Sequence, residues 1–343
     1  MSKIDYENQT NIIRDNTSKA TFKALKIYSY EGMPGEEEFE FYFNHFQESL
    51  IRHSYYDIKP AYFYFRDVKM VNASAILLKS NFDLICINKG LFLSFHQKFV
   101  SYFDLNIFKN FPEIIALEKK LKDDLGELMF QVAILFTFYH ELAHLIQFPK
   151  GKIRNETTEI LTAGDRFDIN EHVLEFDADT FATGSITLLV LNYIDKNEIN
   201  QQELETFINL VSSVIFVYFF SFNTYDENIY FEKYSHPHPF IRCMNVVVNI
   251  VAYIEDIQLN KNEKASQEKL TDRLTKVQDI SETLVIKLFD EKKFPFFETQ
   301  VLSHFKEILK YYDKLRKLVM SDPGSAINIR NKIERERYYN SSR

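Results

Sequence analysis

The sharpest chemical pattern in the chain is His140-Glu141-Leu142-Ala143-His144. Residues four apart leave the same face of a helix, so the two imidazoles can share one metal ion. Glu141 follows the first histidine closely enough to reach a water held there. Phe136, Phe138, Leu142, Ile146 and Phe148 make the surroundings apolar, where an unpaired charged group is costly. Two histidines and a glutamate in such a place need partners. Further along, Glu175-Phe176-Asp177-Ala178-Asp179 sets a second pair, Glu175 and Asp179, on one helical face. A catalytic zinc site takes three protein ligands and keeps a fourth position open; His140, His144 and Glu175 would supply the three. Asp179, one turn on, would accept the outer N–H of a ligand histidine and fix its tautomer. Glu171 and His172 are reserve ligands. The plainer reading is a capped helix with solvated acids, against which Ala178, Phe181 and Ala182 speak by suiting close helix packing.

Such residues need long apolar helices to hold them. Leu125 to Gln147 reads as one, stopped by Phe148-Pro149-Lys150-Gly151, and Asp168 to Tyr193 as another after a polar loop from Ile153 to Phe167. Before them, Phe39, Phe43, Phe46, Leu50 and Ile51 share a face of a helix from Glu36 to Tyr55, whose leading acids suit the positive end of the helix dipole. Ala61 to Ile76 and Phe82 to Ile87 read as β and predict a small antiparallel sheet. Thr206 to Phe222 is uncharged and apolar; a buried core helix is the plainer reading and a membrane span the other. His236-Pro237-His238-Pro239 opens a helix to about Ile257. Asn260 to Leu288, with Leu270, Leu274, Val277, Leu284 and Leu288 at helical spacing, and Phe297 to Val319, closed by Asp322-Pro323-Gly324, predict a C-terminal helical hairpin. The fold class that follows is α+β and mostly helical. It has a polar arm over 1–35, a core over 36–257, and a helical extension with a polar tail from Ser325 over 258–343.

His-Glu-x-x-His followed by Glu-x-x-x-Asp resembles the gluzincin zinc metallopeptidases, and within them the group of the CaaX prenyl proteases and the heat-shock protease HtpX. Asn72-Ala73-Ser74-Ala75 is similar to that group's Asn-Ala-x-Ala strand, and Ile85-Cys86-Ile87-Asn88-Lys89-Gly90-Leu91 to the strand and helix start that follow it. His236-Pro237-His238-Pro239-Phe240-Ile241-Arg242 keeps its His-Pro-x-x-x-x-Arg spacing. All stand in the family's order, between about residues 60 and 256. The resemblance implies a zincin-type core with an active-site helix, one zinc ion on His140, His144 and Glu175, Glu141 as general base and Asp179 orienting a histidine. It also implies that His236 steadies an oxyanion, that Arg242 helps hold the site together, and that a substrate strand pairs alongside Asn72, Ala73, Ser74 and Ala75. The family's membrane-embedded members carry spanning helices between the histidine motif and the glutamate. Here that connection is short and polar, which resembles soluble proteases such as the phage-exclusion Lit type.

Composition limits the alternatives. The chain has 343 residues, 45% hydrophobic and 26% charged, with a core to be filled by Phe 33 and Trp 0. A formal charge of −8 argues against general nucleic-acid binding. Two cysteines without a C-x-x-C pair and an N-terminus without an apolar run lead to the expectation of a reducing, cytoplasmic location. The expected partner is a protein or peptide substrate. A non-catalytic zinc-binding regulator, or a membrane-associated protease held through residues 206–222, are the competing functions.

Overall fold

In a computed structural model, residues 5–78, 81–121, 124–147, 167–222, 228–258, 267–289, 301 and 303–341 are described. In chain order the elements are α1 (Tyr6–Asp15), α2 (Lys19–Leu25), α3 (Glu36–Arg52), β1 (Ala61–Arg66), β2 (Ala73–Ile76), β3 (Asp83–Asn88) and α4 (Lys89–His96). Then follow α5 (Pro112–Lys120), α6 (Leu125–Gln147), α7 (Ile169–Asn197), α8 (Gln201–Phe220), α9 (Pro239–Gln258), α10 (Gln267–Leu288), α11 (Phe305–Ser321) and α12 (Ala326–Ser341). The chain is mostly helical with one small sheet. Phe148-Pro149-Lys150-Gly151 and the expected loop from Ile153 lie outside the described residues up to Phe167, as do Asn260, Phe297 and the side chain of Leu270. The chain divides into two compact units, one drawn from Met1–Ser94, His140–Leu161 and Pro323–Arg343, the other from Phe95–Tyr139 and Thr162–Asp322.

The first unit is built on the sheet, whose order is β1-β3-β2. β1 runs parallel to β3 and β2 antiparallel to it, so the sheet is mixed and three-stranded rather than antiparallel. The expected single run from Ala61 to Ile76 breaks between Arg66 and Ala73, and that break lets β3 take the central place. Side chains alternate across the strands. Phe63 and Phe65 meet the α3 stripe, with Phe46 at 4.8 Å from Phe63 and Phe39 at 4.8 Å from Phe65 between ring centroids. Tyr64, Leu84 and Cys86 face a cluster with Ile13 and Leu25. The polar N-terminal stretch is therefore no arm: it forms α1 and α2, capped by Asp5 and Ser18, and Gln9 and Ile13 are buried. The polar tail likewise forms α12, which buries Ala326 and Ile327 and lays Arg337 over the Tyr55 ring.

β1 has its outer edge closed by side chains and by one short bridge. Gln47 donates to the Ala61 carbonyl and accepts from the Phe63 N–H, Gln9 donates to the Phe63 carbonyl, and Tyr28 N–H donates to the Phe65 carbonyl. β2 forms the other edge, and no strand pairs with its outer side among the described residues.

In the second unit α8 is the central helix. It packs on α9, α10 and α5, while α7 packs on α9 and α11. A capping box of Asn200 and Glu203 starts α8, and Glu203 pairs with Lys120 of α5 at 2.6 Å. Buried hydroxyls are paid for locally: Thr180, Thr183 and Thr187 donate to carbonyls four residues back. The expected hairpin is not seen among the described residues, where α10 and α11 pack chiefly on other helices. Each lays its apolar stripe on a different partner, α10 on α8 and α11 on α7, because those two helices have apolar faces left to cover. α6 and α8 are long and apolar enough to cross a membrane, yet 89% and 83% of their most apolar windows are buried inside the fold.

Gly90, the second residue of α4, lies against the connection between β1 and β2. Its N–H donates to the Val68 carbonyl at 2.9 Å, and a Cβ there would stand 2.0 Å from the Lys69 carbonyl oxygen. Gly90→Ala is expected to lower stability by about 2 kcal/mol or more, because backbone rather than a flexible side chain must move. Urea titration of the variant against the wild type measures it.

Candidate metal centre

Local helix geometry sets the histidines. Near the end of α6, His140, Glu141 and His144 are all buried. The Nε2 atoms of His140 and His144 stand 3.2 Å apart. Two imidazoles bound to one tetrahedral ion at metal–nitrogen lengths of about 2.0–2.1 Å have nitrogens roughly 3.3 Å apart, so the pair fits such an ion. His144 Nδ1 lies 2.8 Å from the Gln147 side-chain oxygen. An amide oxygen only accepts, so Nδ1 carries the proton and Nε2 presents its lone pair. Gln147 sits three residues on from His144, on the same helical face. Arg66 at the end of β1 and Cys86 of β3 lie within electrostatic range of Glu141. Burial keeps Cys86 a thiol by pushing its pKa up.

The carboxylates belong to α7, which Asp168 caps by accepting the Asn170 N–H. Glu175 and Asp179 are buried on one face. Arg242 of α9 holds Asp179 with two parallel bonds, Nε to Oδ2 and Nη2 to Oδ1, each 2.7 Å. The same Nη2 lies 3.5 Å from Glu175 Oε2, and the guanidinium carbon rests 4.3 Å above the Phe219 ring centre. His236 Nε2 approaches Glu175 Oε1 at 3.6 Å, while its Nδ1 meets the Ser235 hydroxyl at 2.9 Å. Asn245, one turn after Arg242, donates to the Phe176 carbonyl and the Thr180 hydroxyl.

The ligand atoms of His140, His144 and Glu175 lie within 4.8 Å of one another, and this buried group could hold a metal ion. Among the described residues no other group of three such side chains does so. Glu171 and His172 stand outside it. His172 is fully buried and bonds the Tyr234 carbonyl and the Tyr311 hydroxyl. His238 uses Nδ1 to accept the Phe240 N–H at the start of α9. Asn72 accepts the neighbouring Ala73 N–H, and Ala73, Ser74 and Ala75 lie in the edge strand β2. Gln147, Ser235 and Tyr311 were not evident in the sequence; only Gln147, by its helical spacing, could have been. No protein-family profile, no curated protein and no solved structure matches the chain.

Two expectations follow from these contacts. Arg242→Ala leaves Asp179 buried without its cation and is expected to cost about 3–5 kcal/mol, whereas replacing both by leucine recovers most of the loss; urea titration of the three chains reads this. His172 is held neutral, its pKa pushed down to about 4, by burial first. The Tyr234 carbonyl and Glu175 favour its charged form, and His236 and Arg242 oppose it. The unfolded chain takes up that proton near 6.5 and the folded chain only near 4, so stability falls as pH drops through this window, by about 3 kcal/mol in full. His172→Gln, which does not titrate there, loses correspondingly less in urea titrations at pH 7 and 4.5.

Proposed function

We infer that the protein is a zinc-dependent endopeptidase acting on a protein or peptide substrate. The observation that carries this reading is the convergence of two imidazole Nε2 atoms and a buried carboxylate, with Glu141 buried beside the first histidine. The gluzincin-like motif order supports it. Bound zinc would supply Lewis-acid polarisation of the scissile carbonyl and a more acidic water.

The other tasks fall to the chain's own residues. Glu141 takes a proton from the attacking water and passes it to the leaving amine. Metal binding alone has no use for that residue. His236 offers an N–H toward the oxygen on which negative charge develops. Arg242 fixes the Asp179 carboxylate and lies beside Glu175, and the motif order assigns Asp179 to orient a ligand histidine. An extended substrate adds to the outer edge of β2 along Asn72, Ala73, Ser74 and Ala75, since the β1 edge is closed by Gln9, Gln47 and Tyr28. That mode recognises backbone first and side chains second.

Profiling of new N-termini in a lysate, with wild type and Glu141→Gln each loaded with zinc, tests the reading. Cuts are expected from the wild type and to fall by about a hundredfold or more in the variant, with one metal per chain in both by elemental analysis. Equal cutting by both chains overturns the mechanism. Metal in both and cutting by neither favours a metal-holding binding protein.

A further inference from the structure

His172 occupies an unusual position for a side chain outside the metal group. It lies on α7 one turn before Glu175 and has no exposed surface. Its Nε2 is 2.7 Å from the Tyr234 carbonyl oxygen, and its Nδ1 is 2.9 Å from the Tyr311 hydroxyl. A carbonyl only accepts, so Nε2 carries the proton. Nδ1 then has only a lone pair, and Tyr311 must donate. One arrangement of hydrogens satisfies all three groups.

Tyr234 stands two residues before His236, the imidazole that approaches Glu175. The stretch over 228–238 has bends and no regular element, so side chains must hold it. Tyr230 packs edge-on to Tyr234 at 4.6 Å and against His238 at 4.8 Å between ring centroids. α11 meets the same stretch twice more, with Tyr311 at 5.5 Å from the Phe231 ring and Lys314 paired to Glu232 at 2.8 Å. An apolar side chain in place of His172 would fill the space without the need for two partners. What the imidazole adds is a bond at each end.

We propose that Tyr311 and His172 are positioning residues: a phenol–imidazole–carbonyl relay through which helix α11 fixes the His236 segment relative to Glu175. The extension beyond residue 258 is then part of what sets the site. The relay itself stands on the contacts alone; its effect on turnover rests on the peptidase reading above.

The test uses the full chain and Tyr311→Phe, which removes one oxygen and keeps the ring, with Tyr312→Phe as the control on the same helix. Hydrogen exchange of peptides covering 228–238 is expected to quicken about tenfold in Tyr311→Phe, the loss of one buried hydrogen bond, and to stay unchanged in Tyr312→Phe. Under the peptidase reading kcat falls about tenfold with KM and metal content unchanged. Unchanged exchange in a folded Tyr311→Phe overturns the relay. Nitrogen NMR of His172 in the wild type gives a second check, independent of any variant: a proton on Nε2 at neutral pH is expected, and one on Nδ1 overturns the relay. Faster exchange with no cleavage by any chain, wild type included, upholds the relay and counts against the peptidase reading alone.

Discussion

The second unit depends on a guanidinium removed from water. Taking a cation and a carboxylate into a fold costs several kcal/mol for each, and only close, well-directed pairing offsets it. Arg242 meets that demand with two parallel bonds to Asp179, a third contact to Glu175 and an aromatic face beneath. The partners are spread over three helices, Asp179 and Glu175 on α7, Arg242 on α9 and Phe219 on α8. A slip of one turn between α7 and α9 would strand a charge, and one in α8 would take away the ring beneath it. The pairing therefore sets the register of three helices at once and, with it, the place of the Glu175 carboxylate.

Charge of this kind is not needed for stability as such, since well-packed apolar residues commonly do as well. Its use lies in direction. Asn245 repeats the pattern one turn on by bonding the α7 backbone and Thr180, and His172 repeats it one turn before Glu175. Along α7 the polar groups thus form a ladder of fixed contacts inside apolar surroundings. The hydroxyls of Thr180, Thr183 and Thr187 turn back on their own helix and demand nothing from neighbours. This allows helices as apolar as α8 to pack beside them without leaving polar atoms to be satisfied across the contact.

What could be seen in the sequence follows from the range of each interaction. Helix spacing is local, so His140, His144, Glu175 and the bounds of α6 were legible, as was the start of α9 at Pro239. Pairing between distant strands is not local: one stretch from Ala61 to Ile76, rich in Tyr, Phe and Val, hid a break, and with it the central place of β3. The N-terminal residues looked polar because α1 buries only a thin stripe, Gln9 and Ile13, and Gln9 does its work through an amide. The C-terminal helices read as a pair because they follow each other, whereas their partners, α8 and α7, are set by apolar faces far back in the chain. The spacing of Arg242 after His236 could be read in the sequence, but its hold on Asp179 could not. Tyr311 gave no sign at all, since nothing in its own neighbourhood marks a bond to His172.

The two edges of the small sheet differ, and the difference bears on self-association. Growth of a sheet from copy to copy without limit needs two open edges, one to offer and one to receive. Here glutamine side chains and the Tyr28 N–H occupy the bonding groups of β1, so that edge can receive nothing. Strand addition at β2 ends with whatever is added. Among the described residues the outer edge of β2 carries no strand, so two copies pairing there would close on themselves and strand addition would stop at a single encounter.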